Sequence, residues 1–256
     1  MYYMTTVFFD ECYDNNHNYL ILGALFNPEP HKIHRILRQE KRDRNYLNLD
    51  GTVREIKYVL CNTHYRCDVA KCAVDCFVGS SSLFRAIVID QRPNTGFSLD
   101  YFGNPNEGKA IKEARAYKKF TELLLKSNIA DVSGGTLYAD RLTRCKGDAF
   151  VPLITESFGK PNCNYSIGKN EPVFRYVQEV DTALEQYHVG QIGDILQGAI
   201  LCELVPPHNR YKRELNTYVK KQLNISSLGQ TYWQNLPKWE QDLKHPKYQV
   251  WYWEPD

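Results

Sequence analysis

No apolar run in this chain is long enough to cross a bilayer, and the amino terminus lacks the basic-then-apolar pattern of a secretory leader. Neither a membrane span nor export is therefore expected. The eight cysteines show no disulfide-framework spacing, so reduced thiols in a cytoplasmic protein are the expectation. Internal repeats and low-complexity stretches are also missing, and the net charge is only +2. What remains is an ordinary globular composition, 43% hydrophobic and 24% charged, in 256 residues. That length suffices for one large or two small domains with a sizeable core.

The charge is unevenly placed. Residues 31–44 hold six Lys or Arg (Lys32, Arg35, Arg38, Lys41, Arg42, Arg44) against Glu40 and Asp43, a local balance of +4. Residues 208–221 hold five (Arg210, Lys212, Arg213, Lys220, Lys221) against Glu214, again +4, which leaves the remainder at −6. Two basic patches beside an acidic remainder fit a polyanion-binding surface next to a carboxylate cluster. Either patch alone reads as a solvated helix face.

The acids are patterned too. Val7-Phe8-Phe9 runs straight into Asp10-Glu11, and a second apolar run from Tyr19 to Phe26 follows a polar break, which predicts an antiparallel hairpin. Carboxylates at the edge of a core are costly unless paired, hydrogen-bonded or metal-bound. Taken alone, Asp10 and Glu11 read as the start of a turn. Strands predicted at 84–90, 136–140 and 173–180 also reach acids: Asp90, Asp140 and Asp181.

Helical spacing predicts a helix after Pro30, on the stripe Ile33, Ile36 and Leu37, and others at 67–77, 109–127, near 149–158 and at 190–204. The 109–127 helix shows Ile111, Ala114, Tyr117, Phe120, Leu124 and Leu125 on its apolar side. Residues 51–59 read as a short strand or an extended lead-in, and 93–108 as a long loop serving as a lid or substrate clamp. In the late helix, Gln191, Asp194 and Gly198 share one sector beside the apolar face. Gly198 there would let another backbone approach closely.

Asp10-Glu11, then Glu55-Ile56-Lys57-Tyr58, then Gln191-Ile192-Gly193-Asp194 continuing to Gly198 stand in the order seen in the bacterial family designated domain of unknown function 3800, which the chain resembles as far as Leu204. That family is thought to be similar to the ribonuclease H superfamily. The resemblance implies an α/β fold, a mixed sheet flanked by helices over residues 1–205, with 206–256 as an aromatic and basic extension packed on the core. It also implies metal-dependent cleavage of phosphodiester bonds in RNA or DNA, in bacterial defence or mobile-element biology. Family members follow the Asp-Glu pair with a small residue and glycine; this chain has Cys12 and Tyr13. A bulky Tyr13 puts a close backbone approach at that turn in doubt.

Two Mg2+ or Mn2+ ions, about 4 Å apart, stabilise the attacking and leaving oxygens of an in-line displacement at phosphorus. Such hard ions need several carboxylates from separate elements. Asp10 and Asp194 are the first two expected ligands, Asp140 the third and Glu55 the fourth, with Asp181 and Asp90 competing for those places. Strand order in a ribonuclease H topology favours Asp90, whereas the family resemblance favours the later acids. Glu11 is expected to bind the metal or to orient a ligand. Lys57, Gln191, Arg35, Arg38, Lys212 and Arg213 are the expected substrate contacts, with nucleic acid the partner. A non-catalytic nucleic-acid-binding or partner-binding protein that keeps the fold is the alternative.

Other constellations point elsewhere. Cys61, His64, Cys67, Cys72 and Cys76 invite a zinc reading but lack paired Cys-x-x-Cys knuckles, and Cys72 and Cys76 suit a buried helix stripe. Cys12 with His17 could form a nucleophile pair, and His188 a proton shuttle near Asp194. Trp233, Trp239, Trp251 and Trp253 in the basic tail either stack on unpaired bases or pack the tail onto the core; packing is the simpler reading.

Overall fold

A strand with no polar side to offer solvent must be covered on both faces, and all nine residues of Tyr19–Asn27 are buried. The computed structural model, which describes residues 5–129, 132–141, 150–160, 171–228 and 247–253, places this run inside a six-stranded sheet. The strands are β1 (Thr6–Tyr13), β2 (Tyr19–Asn27), β3 (Leu83–Asp90), β4 (Gly135–Asp140), β5 (Phe174–Val180) and β6 (Tyr248–Tyr252). Across the sheet they lie in the order β5-β4-β1-β2-β3-β6. The first three pair antiparallel, whereas β4 runs parallel to β1, β5 to β4 and β6 to β3. The fold is thus α/β with a mixed sheet.

Six helices among the described residues cover the sheet: α1 (Pro30–Asp43), α2 (His64–Val78), α3 (Lys109–Lys126), α4 (Phe150–Phe158), α5 (Gln191–Leu204) and α6 (Arg210–Leu223). Alternation along each strand sorts its side chains between two cores. Phe8, Ile21, Leu25 and Val88 pack with α1, α2, α5 and α6 on one face. Val7, Phe9, Leu22 and Ile87 pack with α3 and α4 on the other.

Three expectations change form. Residues 51–59 make no strand: after a single bridge between Leu47 and Val53 the chain continues into a 3-10 turn at Tyr58–Leu60. The 93–108 loop sends Phe97, Leu99 and Phe102 onto the α3–α4 face, away from Asp10, so it is packing rather than a lid over the acids. In α3, Ile111 is half exposed while Lys112 is buried and reaches Asp100 at 2.5 Å.

The described parts of the tail, residues 206–228 and 247–253, are built into the core. α6 contributes Leu215, Val219 and Leu223 to the core it shares with α2 and α5, and β6 adds a sixth strand beside β3. Trp253 meets Phe97, Phe102 and Phe120 at ring separations of 5.9, 6.2 and 5.2 Å, and Trp251 packs on the same side. Trp233 and Trp239 lie outside the described residues.

Candidate active site

Alternation along β1 turns Asp10 and Cys12 to the α5 face with Phe8, and Glu11 to the opposite face with Val7 and Phe9. The parallel register pairs Phe8 with Tyr138 and Phe9 with Ala139, so Asp10 and Asp140 are the next residues on neighbouring strands. The Phe8 and Tyr138 rings, two residues before each acid, meet on that same face at 5.6 Å. Strand order therefore selects Asp140 as the mid-chain acid, because β4, and not β3, lies beside β1.

The third acid arrives on α5. This helix sits close to the sheet because Gly23, paired with Asp10, has no side chain: a Cβ there would be 2.7 Å from Gln197. Gln197 donates to the Asp10 carbonyl at 2.9 Å, fixing the helix over β1. Asp194 lies one turn earlier and accepts the Tyr58 N–H through Oδ2 at 2.5 Å. Gly198 does admit a close neighbour, but the neighbour is the Tyr58 side chain, whose Cγ would lie 2.0 Å from an added Cβ.

One oxygen of each carboxylate is anchored by backbone. Asp10 Oδ1 accepts the Glu11 N–H at 2.7 Å, and Asp140 Oδ1 accepts those of Arg141 at 3.0 Å and Thr182 at 3.2 Å. The acids also feel one another's charges. Burial pushes the Asp10 carboxyl well above its ordinary range, and the charges of Asp194 and Asp140 push it further. Burial raises Asp194 to about 6; the Tyr58 N–H and Lys57 oppose the rise, while Glu55 and Asp140 add to it. Lys57 stands 3.2 Å from Glu55, and its ammonium is favoured by Glu55, Asp140 and Asp194, which overcome the effect of its partial burial. Cys12 lies beside the same acids, and burial followed by the Asp194 and Asp10 charges drives its thiol far up. That keeps it protonated and unsuited to nucleophilic attack with His17.

Asp10, Asp140 and Asp194 thus lie within reach of one another's charges, and Glu55 and Lys57 act on Asp194. The other expected residues lie elsewhere. Glu11 faces away from the pocket. Asp181 is exposed and caps its own turn through the Ala183 N–H at 2.9 Å, and Asp90 is held by Arg92 at 2.5 Å. Both acids end strands, but each is satisfied locally. Gln191 is buried and bonded on both sides of its amide, to Lys41, the Ile56 N–H and the Thr182 carbonyl, so it fastens the site from behind rather than meeting a substrate. His188 is buried between Lys41 and the Ala183 carbonyl rather than serving as a shuttle at Asp194.

Among the basic residues, Lys212 lies 5.2 Å from the Tyr58 ring. Arg35 is exposed on α1, Arg38 pairs with Glu185, and Arg213 donates to the carbonyls of Pro207 and His208. Cys67 and Cys72 donate their thiol protons to backbone carbonyls, and His64 pairs with Asp68, so that cluster is spent on packing and local bonds.

Sequence reasoning missed Lys41. Its signal was its spacing: Ile33, Leu37 and Lys41 recur every fourth residue, and all three are buried.

Among the described residues, no three His, Cys, Asp or Glu side chains converge tightly enough to form a ready-made metal site. The chemistry of the donor set nevertheless suits a hard divalent cation: carboxylate oxygens, several negative charges and a single ammonium to offset them. Comparison with protein-family models, with curated proteins and with solved structures finds no match.

Proposed function

We propose that this chain is a Mg2+- or Mn2+-dependent nuclease of the ribonuclease H-like kind, as its resemblance to the domain of unknown function 3800 family suggests. The mixed sheet flanked by helices is compatible with that fold. The observation that carries the reading is the approach of Asp10, Asp140 and Asp194, from β1, β4 and α5, on one side of the sheet, where burial first and then the charges of Asp194 and Asp140 raise the Asp10 pKa. Clustering acids against their own repulsion is costly unless a cation or proton is to be held there.

Asp10, Asp140 and Asp194 would hold the metal, with Glu55 as the fourth carboxylate. Bound there, it would supply Lewis-acid stabilisation of charge at phosphorus. The protein's own contributions are separable from that. Backbone N–H groups fix one oxygen on each of the three aspartates, which orients the other. Lys57 offers positive charge beside the acids for a phosphate. Cleavage of a panel of RNA and DNA with Mn2+ tests the reading. Asp10→Asn and Asp194→Asn should each lower the rate by on the order of 10²-fold or more, the scale of losing one electrostatic stabiliser of a transition state.

One observation favours a second reading, a nucleic-acid-binding or partner-binding protein without turnover. Asp194 already has a structural task at the Tyr58 N–H, so its presence does not by itself require catalysis. That reading predicts salt-sensitive binding with no cut in any metal.

A further inference from the structure

Lys41 has no exposed surface, and its amine meets three acceptors, one at residue 54 and two at the start of α5 and the turn just before it. These are the Arg54 carbonyl at 3.1 Å, His188 Nδ1 at 2.9 Å and Gln191 Oε1 at 2.8 Å. An ammonium has three donors and accepts nothing, so the match is complete and settles its neighbours' states. His188 must accept at Nδ1, which puts its proton on Nε2, where it donates to the Ala183 carbonyl at 3.2 Å. Gln191 must turn its oxygen to Lys41, and its nitrogen then donates to the Thr182 carbonyl at 2.7 Å.

The same Gln191 oxygen accepts the Ile56 N–H at 2.9 Å, and two residues on Asp194 accepts the Tyr58 N–H at 2.5 Å. In extended chain, alternate residues direct their backbone polar groups to the same edge, and Lys57 is extended at φ −126°, ψ 139°. The strip 54–58 is therefore bonded at Arg54, Ile56 and Tyr58 to a ladder whose rungs are the side chains of Lys41, Gln191 and Asp194. The intervening residues are Glu55 and Lys57, the pair whose charges act on Asp194.

We propose that Lys41 is a positioning residue, which sets the register of the 54–58 strip and so the placement of Glu55 and Lys57 against Asp194. This rests on the reading of the acid pocket as the functional site. Contact with substrate is excluded by its burial, as is a role as an accessible nucleophile.

The test is hydrogen exchange on Lys41→Met, at pH 6, where the wild-type amine is protonated: burial lowers its pKa to about 7. The Ile56 and Tyr58 amides should exchange about tenfold faster or more, with β1 and β4 amides unchanged. Mn2+ affinity, read by electron paramagnetic resonance, should fall by about 10- to 100-fold. In Lys41→Ala, propylammonium should restore that affinity, whereas propanol, of similar size, should not. If Lys41→Met does not fold, Gln191→Leu cuts the ladder at its next rung and should release the same two amides. Unchanged exchange at Ile56 and Tyr58, or a loss of protection spread evenly over the sheet, overturns the proposal. Absence of Mn2+ binding in the wild type overturns the metal reading instead; the exchange result still decides whether Lys41 positions the strip.

Discussion

At the scale of the residue, the acid pocket is a source of instability that can be measured. Asp194 has an ordinary carboxyl pKa of 3.8 when unfolded and about 6 when folded, chiefly because burial disfavours the charge. Between those values the folded state binds more protons than the unfolded one, so stability falls as pH rises from about 4 to 6. A shift of this size corresponds to on the order of 2 kcal/mol once solvent screening is allowed for. Asn at 194 removes the charge but still offers an oxygen to the Tyr58 N–H. Asp194→Asn should therefore stabilise the metal-free protein by about 1–3 kcal/mol at pH 7 and by nothing at pH 3.5. His188 works in the opposite direction, because burial lowers its pKa to about 3 and unfolding then takes up a proton. It acts equally in both proteins and cancels from the difference. Urea unfolding of the pair at the two pH values gives the answer, and equal gains at both would locate the effect outside the charge. The pocket aspartates were legible because acids at the ends of apolar elements need an explanation. Glu11, Asp90 and Asp181 met the same criterion. What separated them was the side of a strand, an Arg92 two residues on and a turn amide, none of which the acid itself announces.

At the scale of the element, α5 carries two glycines whose substitution has opposite consequences. Gly198 and Gly193 lie on the same helix, and in isolation Gly→Ala favours a helix by up to about 1 kcal/mol. At Gly193 an added methyl meets nothing within 4 Å, so Gly193→Ala should be neutral or mildly stabilising. At Gly198 it would fall 2.0 Å from Tyr58 Cγ, on a residue whose backbone N–H is bonded to Asp194. Gly198→Ala should cost about 1–3 kcal/mol, net of the propensity gain, and should loosen the Tyr58 amide as well. Thermal unfolding of the two variants side by side checks this, and a Gly198→Ala protein as stable as Gly193→Ala would mean that α5 does not press on the strip. Most elements could be read from periodicity, since core faces repeat. The 51–59 strip could not. Its partners are side chains from α1 and α5 rather than another strand, so it carries the extended geometry of a sheet without the alternating pattern. The 93–108 loop was misplaced for a related reason: Phe97 and Phe102 say that it packs, but not on which face.

At the scale of the whole molecule, the sheet order joins the parts of the site. Parallel pairing of β1 with β4 brings Asp10 beside Asp140 across more than a hundred residues, and covering that same face with α5 delivers Asp194. The basic helices α1 and α6 share this face, although burial of Lys41 and the pairing of Arg38 leave less free charge than the sequence suggests. The repulsion among the acids then becomes a handle on the metal. An ion bound only by the folded state at 100 times its Kd adds about 2.7 kcal/mol, which in a chain this long raises Tm by roughly 5–10 °C. Mn2+ should produce such a rise at pH 7 and a smaller one at pH 5, where Asp194 retains a proton that the ion has to displace. Asp10→Asn should abolish the rise at both. A rise that survives Asp10→Asn, or that is the same at pH 5 and pH 7, would put the ion at some other part of the surface and leave the three aspartates without a metal to hold.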